Sequence, residues 1–419
     1  MASMKSKITI FMLMGAAALL LVSAAYFIID SFPYPDSKNP FRPKNYGSTR
    51  VYDVHRSVNE LSGINIGAVL KFKDWNRNPS GLVLDGYDLD VIRDAGFRHL
   101  RVSVAFLELL RDSGGFYEIE PEAMAKLDWF LKAILDRGMI AHLDFHLLVP
   151  DEKRTFDSDA ERARNETEFL AIWSELAKRY KDWPPDLYFE LANEPHAPIT
   201  PELWNDYANK ALEIIRSRGG NNVARQVIVA VNELQDPWNQ VKAIRALELP
   251  SAEEDPNILV TFHYYQPNAF AWQGETFTPS IDGPSKEWLG NMWDNTWRQK
   301  AMIRRDFDLV SDWAEKNRRK IILGEFGVTQ NADIVSQANY TSFVREEAEK
   351  RGMVWILWQL FADRSLGALY DESTGSFRKE ILDALMPEQK SGLVEAADRV
   401  PIRSDPDPIP IRSIPRLRR

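Results

Sequence analysis

The stretch Asp186-Leu187-Tyr188-Phe189-Glu190-Leu191-Ala192-Asn193-Glu194-Pro195 decides how this chain is read. It is a short apolar run of strand length that ends in an amide, a carboxylate and a proline. In a parallel barrel the C-terminal rim of the strands is where chemistry is built, so a polar cluster at such an end carries weight. Similar runs stand at Ile64 to Leu70, His99 to Val104, Met139 to Phe145, Val227 to Val231, Ile258 to Phe262, Ile321 to Leu323 and Val354 to Leu360. Helix-like stretches alternate with them: Leu89 to Ala95, Pro121 to Arg137, Thr167 to Tyr180, Pro201 to Arg216, Gln240 to Leu247, Asp306 to Arg318, Ser342 to Lys350 and Arg378 to Leu385. Runs that are apolar on both faces suit a fully covered parallel sheet. Alternation of strand and helix over eight units makes this an α/β chain and predicts a (β/α)8 TIM barrel.

Composition narrows the partners. The 419 residues carry a formal net charge of −9 with a pI near 5.4, which argues against nucleic acid or an anionic surface as the main partner. There is no cysteine, which excludes disulfides, a thiol nucleophile and a cysteine zinc site. Lys5 and Lys7 precede an uncharged apolar run from Ile8 to Ile29, and Asp30 ends it. That is the pattern of an export signal or a membrane anchor, with Val22-Ser23-Ala24 as a small-residue cleavage site. The expected place is extracytoplasmic, periplasmic or secreted, with a tether to the inner membrane if the segment is kept. Ser31 to Lys44 holds four prolines among polar residues and reads as a spacer, and Pro401 to Arg419 reads as an unstructured tail. The expected organisation is 1–30 signal or anchor, 31–55 spacer, 56–390 one barrel domain and 391–419 tail, as a monomer.

The strand ends share a theme. Strand two contains Arg101, strand three ends at His146, strand four at Asn193-Glu194 and strand six at His263-Tyr264-Tyr265. Strand seven ends Gly324-Glu325-Phe326-Gly327, and strand eight carries Trp355 and Trp358. Two glutamates on different strand ends are what glycoside hydrolysis needs: one protonates the leaving oxygen while the other, ionised, attacks the anomeric carbon. A rival pattern is His142-x-Asp144-x-His146, whose alternation puts three metal-ligand types on one strand face and would suit a metal-dependent barrel hydrolase. His263 is the only histidine on a later strand to complete such a site, so His142 and Asp144 are expected as interior polar groups. Glu190 is read as an interior structural charge, and His196 as lining the cleft or closing the next turn. Gly324 and Gly327 are expected to relieve backbone crowding at the mouth.

These segments resemble glycoside hydrolase family 5, the retaining (β/α)8 enzymes that act mainly on β-1,4-glucans and related β-glycans. The resemblance runs from about Gly63 to Leu360 on LANEP, LGEFG, HLRVSV, DFH, FHYYQP and ILWQL, in order and on the expected strands. It implies that Glu194 is the acid/base, held partly protonated, and Glu325 the nucleophile, kept ionised by Arg101. It further implies that Tyr265 donates to Glu325, that Asn193 binds the sugar 2-hydroxyl, that His146 and His263 hold hydroxyls or orient the carboxylates, and that Trp358 forms the sugar floor. Many members have a second histidine after the strand-three histidine; here Leu147 stands there.

The activity so implied is an endo-β-1,4-glucanase working by double displacement, with β-mannanase or another β-glycan hydrolase as the alternative and a non-catalytic glycan-binding barrel as the reading from another class. No metal or other cofactor is implied, and the partner is a β-linked polysaccharide or oligosaccharide. Trp129, Trp173 and Trp313 fall in helix patterns and read as core, whereas Trp75, Trp272, Trp288, Trp293 and Trp297 sit where a cleft is built and are candidate sugar platforms. A tethered enzyme trimming the cell's own exopolysaccharide would fit both ends of the reading.

Overall fold

A computed structural model describes residues 61–66, 86–146, 156–233, 240–275, 286–361, 367–371 and 373–387. The apolar run from Ile8, the spacer, Trp75, Leu147 and the C-terminal tail lie outside the described residues. Eight parallel strands close into a barrel in the order β1-β8-β7-β6-β5-β4-β3-β2. They are β1 (Gly63–Asn65), β2 (His99–Val104), β3 (Ile140–Phe145), β4 (Leu187–Glu190), β5 (Val227–Ala230), β6 (Ile258–Tyr264), β7 (Lys320–Phe326) and β8 (Val354–Leu357). Helices α1 (Gly86–Asp94), α2 (Pro121–Leu135), α3 (Asp159–Tyr180), α4 (Pro201–Ser217), α5 (Gln240–Ala243), α6 (Trp297–Asn317), α7 (Ile334–Glu349) and α8 (Lys379–Leu385) surround it. The chain is thus the (β/α)8 TIM barrel that its alternation predicts.

Period-two alternation divides the strands into a helix-facing and an inward set. Leu100, Val102, Leu143, Phe145 and Phe189 join the large core under the helices. Ile140, Tyr188, Ile228, Leu259, Ile322 and Ile356, one from each of β3 to β8, form a separate apolar plug inside the barrel. Arg101, His142, Asp144 and Glu190, all fully buried, follow on the inward face toward the rim. Two tryptophans clamp strand ends from outside: the Trp173 indole N–H donates to Leu191 O at 3.1 Å, and Trp204 donates to Ala230 O at 2.8 Å. Trp173 is core as expected, while Trp129 and Trp313 are half-buried against it.

Several elements are longer than their apolar runs. Helices α3 and α6 begin eight or more residues earlier than expected because Ser158 with Glu161 and Thr296 with Gln299 form capping boxes. Each box satisfies end donors for about 1 kcal/mol, so the polar first turns are helical although no apolar stripe marks them. Strand β7 continues through Gly324-Glu325-Phe326, and β6 through His263-Tyr264. The expected helix from Gln240 to Leu247 is one α-turn followed by a 3-10 turn, Ile244–Ala246. Two small hairpins that were not foreseen pair Leu110–Asp112 with Tyr117–Ile119, and Tyr370–Asp371 with Ser376–Phe377.

Candidate active site

Arg101 is the hub of the barrel mouth. Its guanidinium donates from Nε to Glu190 Oε2 at 2.6 Å and from Nη2 to Glu190 Oε1 at 2.8 Å, a bidentate pair. Nη1 donates to Asn65 Oδ1 at 3.0 Å and to Glu325 Oε1 at 2.7 Å, and Nη2 to Asn193 Oδ1 at 2.8 Å. Asp144 Oδ2 lies 3.1 Å from Nη2. Burial alone would weaken this cation, but Asp144, Glu190 and Glu325 override it and hold Arg101 charged, well above its ordinary value. Burial also opposes ionisation of Glu190, and Arg101 beside it wins, so that carboxylate stays far below the usual range. Glu190 is therefore the interior structural charge that was expected.

The His142-Asp144-His146 alternation does not converge on one point. His142 Nε2 sits 2.6 Å from Glu190 Oε2 and its Nδ1 lies 3.0 Å from His99 Nε2. Burial, with His142 alongside, pushes His99 down to about 3, so this inner pair of rings stays neutral on the His99 side. Asp144 Oδ2 instead accepts from His146 Nδ1 at 2.7 Å, which fixes that ring and leaves its Nε2 as the nitrogen available to a ligand. The three side chains thus serve two separate contacts, and Asp144 is shared with Arg101.

Nearer solvent, Glu325, Glu194 and His263 face one another, with one ligating atom of each inside a 4.8 Å sphere of mutual distance. Tyr265 OH donates to Glu325 Oε2 at 2.7 Å. His263 Nδ1 lies 2.5 Å from Glu194 Oε1 and 3.5 Å from Glu325 Oε2. Burial raises Glu325, and the Glu194 charge adds to it against the pull of His263 and Arg101. Burial would raise Glu194 too, but His263 overrides it and holds Glu194 below its ordinary value. His263 in turn is pulled above its ordinary value by Glu325 and Glu194 despite burial. The Glu194–His263 contact thus favours the ionised carboxylate and the protonated imidazole together. The direction at Glu194 is opposite to the expected partial protonation because His263 lies 2.5 Å from it, whereas Arg101 favours ionisation of Glu325 as expected.

Backbone geometry supports the arrangement. Glu194 has φ 27°, a left-handed conformation that costs roughly 1–3 kcal/mol and is met where surrounding structure imposes it. Asn193 N donates to Phe145 O at 2.9 Å, tying the turn to β3. His196 is exposed and closes the turn on the Glu194 carbonyl, 2.6 Å from its Nδ1. A Cβ on Gly324 would lie 2.3 Å from Thr261 Oγ1 and 3.1 Å from His263 Nε2, and one on Gly327 would lie 2.3 Å from the Trp358 carbonyl. Both glycines therefore make room at the mouth.

Trp358 is 8% exposed and its ring lies parallel to His146, 5.9 Å away at 10°. It packs with Tyr265 and Trp272, and the half-buried Trp288 leans on the same group. Trp272 is buried behind Tyr265, 4.6 Å between rings, and Trp293 lies in the core against Phe270 and Tyr340. Neither offers a free face. Trp297 is 73% exposed at the start of α6.

All eight expected positions, Arg101, His146, Asn193, Glu194, His263, Tyr265, Glu325 and Trp358, thus meet in one mouth. Asn65, Glu233 and Gln240 were not foreseen. Asn65 Nδ2 donates to Gly324 O at 3.1 Å and Leu357 O at 3.2 Å while its Oδ1 takes Arg101. Its signal was a polar residue in strand one, hidden by reading that run through to Leu70. Asn232-Glu233 repeats the Asn193-Glu194 pair at the end of the next strand, which could have flagged Glu233.

The cellulase model of glycosyl hydrolase family 5 matches residues 62–364. Endoglucanase H of Acetivibrio thermocellus is 27% identical over 367 residues, which is 83% of this chain and 36% of that protein. Endoglucanase B of Clostridium cellulovorans is 25% identical over 324 residues, 74% of this chain and 68% of the relative. The chain spans 36% of the length of the first two curated relatives it matches. Among solved structures, the clostridial cellulose synthase subunit Z from Clostridioides difficile is 32% identical with a TM-score of 0.65, over 78% of this chain and 99% of that one. Endoglucanase Cel5A from Thermotoga maritima is 30% identical with a TM-score of 0.66, over 78% and 98%. A family match across the whole described barrel leaves one assignment: the chain belongs to glycosyl hydrolase family 5.

Proposed function

We propose that the protein is a retaining β-glycan hydrolase, an endo-β-1,4-glucanase, with Glu325 as nucleophile and Glu194 as acid/base. The observation that carries this reading is the closeness of the two carboxylates, with an oxygen of each within 4.8 Å. Retaining enzymes hold their carboxyl groups about 5–5.5 Å apart, and inverting ones about 6.5–9.5 Å to admit a water. A Glu325 oxygen attacks the anomeric carbon as the glycosidic C–O bond breaks, and the departing oxygen takes a proton from Glu194. Glu194 then accepts a proton from water, the water oxygen attacks the same carbon, and the glycosyl ester to Glu325 breaks, restoring both carboxyls. The Glu194–His263 pair holds one proton across 2.5 Å. Filling the site with sugar removes water and disfavours the charge-separated form, which moves that proton to Glu194 where the leaving group needs it.

Asn193 has its Oδ1 committed to Arg101, so its Nδ2 is the group offered to the sugar 2-hydroxyl, a contact that strengthens as the oxocarbenium-like state forms. Trp358 supplies the apolar floor for the ring. Glu325→Gln is expected to abolish hydrolysis and Glu194→Gln to cut it on the order of 10²- to 10⁴-fold, both with the fold intact; near-normal turnover in either refutes the roles. Proton NMR of the first-formed product is expected to give the β anomer, and an α product would mean inversion.

The glucan reading is supported by the endoglucanase names of the relatives. The Thermotoga maritima neighbour is described with cellobiose and with mannotriose, which gives mannan a place as second substrate. Reducing-sugar release from carboxymethylcellulose, mixed-linkage glucan, mannan and xylan separates them. We also propose that residues 8–29 export the barrel or tether it to the membrane, where it trims the cell's own exopolysaccharide. The charge pattern of the segment and the likeness to a cellulose synthase subunit support this. No helix among the described residues is long and apolar enough to cross a membrane. Loss of the membrane-bound fraction on deleting 8–29 tests the tether, and unchanged polymer length in a deletion strain counts against trimming.

A further inference from the structure

Behind Glu194 and His263 stands a third group that belongs to none of the eight positions. Gln240, 3% exposed at the start of α5, accepts the His263 main-chain N–H on Oε1 at 2.8 Å. Its Nε2 donates to Glu233 Oε1 at 2.9 Å and lies 3.5 Å from Glu194 Oε1. The β5–β6 ladder pairs residues only as far as Ala230 with Thr261, after which Val231 N donates to Thr261 O at 3.0 Å. The β6–β7 register then shifts between Phe262 and His263. The His263 N–H therefore leaves the ladder where the site begins, and a side chain takes it in place of a backbone carbonyl.

A side-chain amide accepts on its oxygen and donates from its nitrogen while staying uncharged. The buried Glu233 carboxylate takes the N–H end of Gln240 and so fixes which end faces His263. The same segment also holds the turn that carries Glu194: Glu233 N donates to Pro195 O at 2.8 Å, and Asn232 Nδ2 donates to Ile199 O at 2.9 Å. Both halves of the Glu194–His263 pair thus hang from Asn232, Glu233 and Gln240.

We propose that Gln240, oriented by Glu233, is a positioning residue for the acid/base half of the site, setting the Glu194–His263 pair against the leaving-group oxygen. Its contacts are to Glu233, the His263 main chain and, at 3.5 Å, Glu194, so it acts through the Glu194–His263 pair. The inference rests on the acid/base reading of Glu194, and its test is built to separate the two.

The test compares kcat/KM for two aryl β-cellobiosides, one with a phenol leaving group that needs a proton and one with a dinitrophenol that does not. For Gln240→Leu the phenol substrate is expected to fall roughly 10- to 100-fold and the dinitrophenol substrate less than about threefold. Gln240→Glu keeps an acceptor for the His263 N–H but loses the donor, and serves as the second variant should Gln240→Leu fail to melt cooperatively. It is expected to show the same split. Equal losses on both substrates would mean a merely structural role, and no loss on either would mean no role; each overturns the proposal. Glu194→Gln is run beside them and must itself show the split. Its absence there would sink the acid assignment and this one with it, whereas a split in Glu194→Gln without one at Gln240 overturns this proposal alone.

Discussion

Glu190 and Glu194 lie four residues apart at the end of β4, and only one of them stands ready for chemistry. Glu190 is fully buried, held bidentately by Arg101 and flanked by His142 at 2.6 Å. Its charge is fixed by a partner that does not titrate. Glu194 has a side chain 28% exposed, a left-handed backbone and a partner, His263, that does titrate. Residue type and strand are shared, so the partners make the difference. A guanidinium locks a carboxylate, whereas an imidazole lends it a proton. Glu325 stands between the two regimes, joined to the locked layer through Arg101 and to the open one through Tyr265 and His263.

The largest effect is expected where the locked layer loses the Arg101 guanidinium. Arg101→Leu leaves Asp144, Glu190 and Glu325 without the guanidinium they share, which should cost about 3–5 kcal/mol of folding free energy and all activity. A chemical-denaturant melt checks it, and a midpoint near that of the unaltered protein would mean the layer is not locked by charge.

Next comes the paired substitution that separates the two glutamates. Glu190→Gln is expected to lower stability by roughly 2 kcal/mol, since it loses one ionic partner of Arg101 but keeps the shape. Glu194→Gln is expected to leave the melting midpoint in place while hydrolysis of unactivated glycan falls on the order of 10²- to 10⁴-fold. Measuring both properties on both variants sharpens the contrast; the same loss of stability in each would erase it.

How far the sequence carried this can be judged from these residues. The barrel was legible because largely apolar runs of strand length alternate eight times with helix-like stretches, even though β2 and β3 carry Arg101, His142 and Asp144. The mouth was legible because Asn193-Glu194, His263-Tyr264-Tyr265 and Gly324-Glu325 break such runs at the rim. What stayed hidden depends on contacts across the barrel. Asn65 looked like one more strand residue until Arg101 and two backbone carbonyls were found on its amide. Gln240 opens a short helix, and nothing local says that its amide replaces a ladder acceptor at His263. The lowering of Glu194 is hidden for the same reason: it comes from the 2.5 Å contact with His263 across the barrel mouth, and strand ends read one at a time contain no such distance.

The smallest effect probes that contact. Productive free enzyme needs an ionised Glu325 and one proton on the Glu194–His263 pair, so kcat/KM against pH should be a bell. Burial and the Glu194 charge raise Glu325, which puts the acid limb above the ordinary carboxyl value. The Glu325 and Glu194 charges raise His263 against its burial, which puts the alkaline limb above the ordinary imidazole value of about 6.5. His263→Asn removes the imidazole of the Glu194–His263 pair, so the alkaline limb should fall toward the carboxyl range. It also removes a cation that lowers Glu325, so the acid limb should rise. The bell should therefore narrow from both sides, with His146 and His196 left in place to show that no other imidazole substitutes. An unchanged bell would put the proton elsewhere, and Glu194 would then be no more responsive than Glu190.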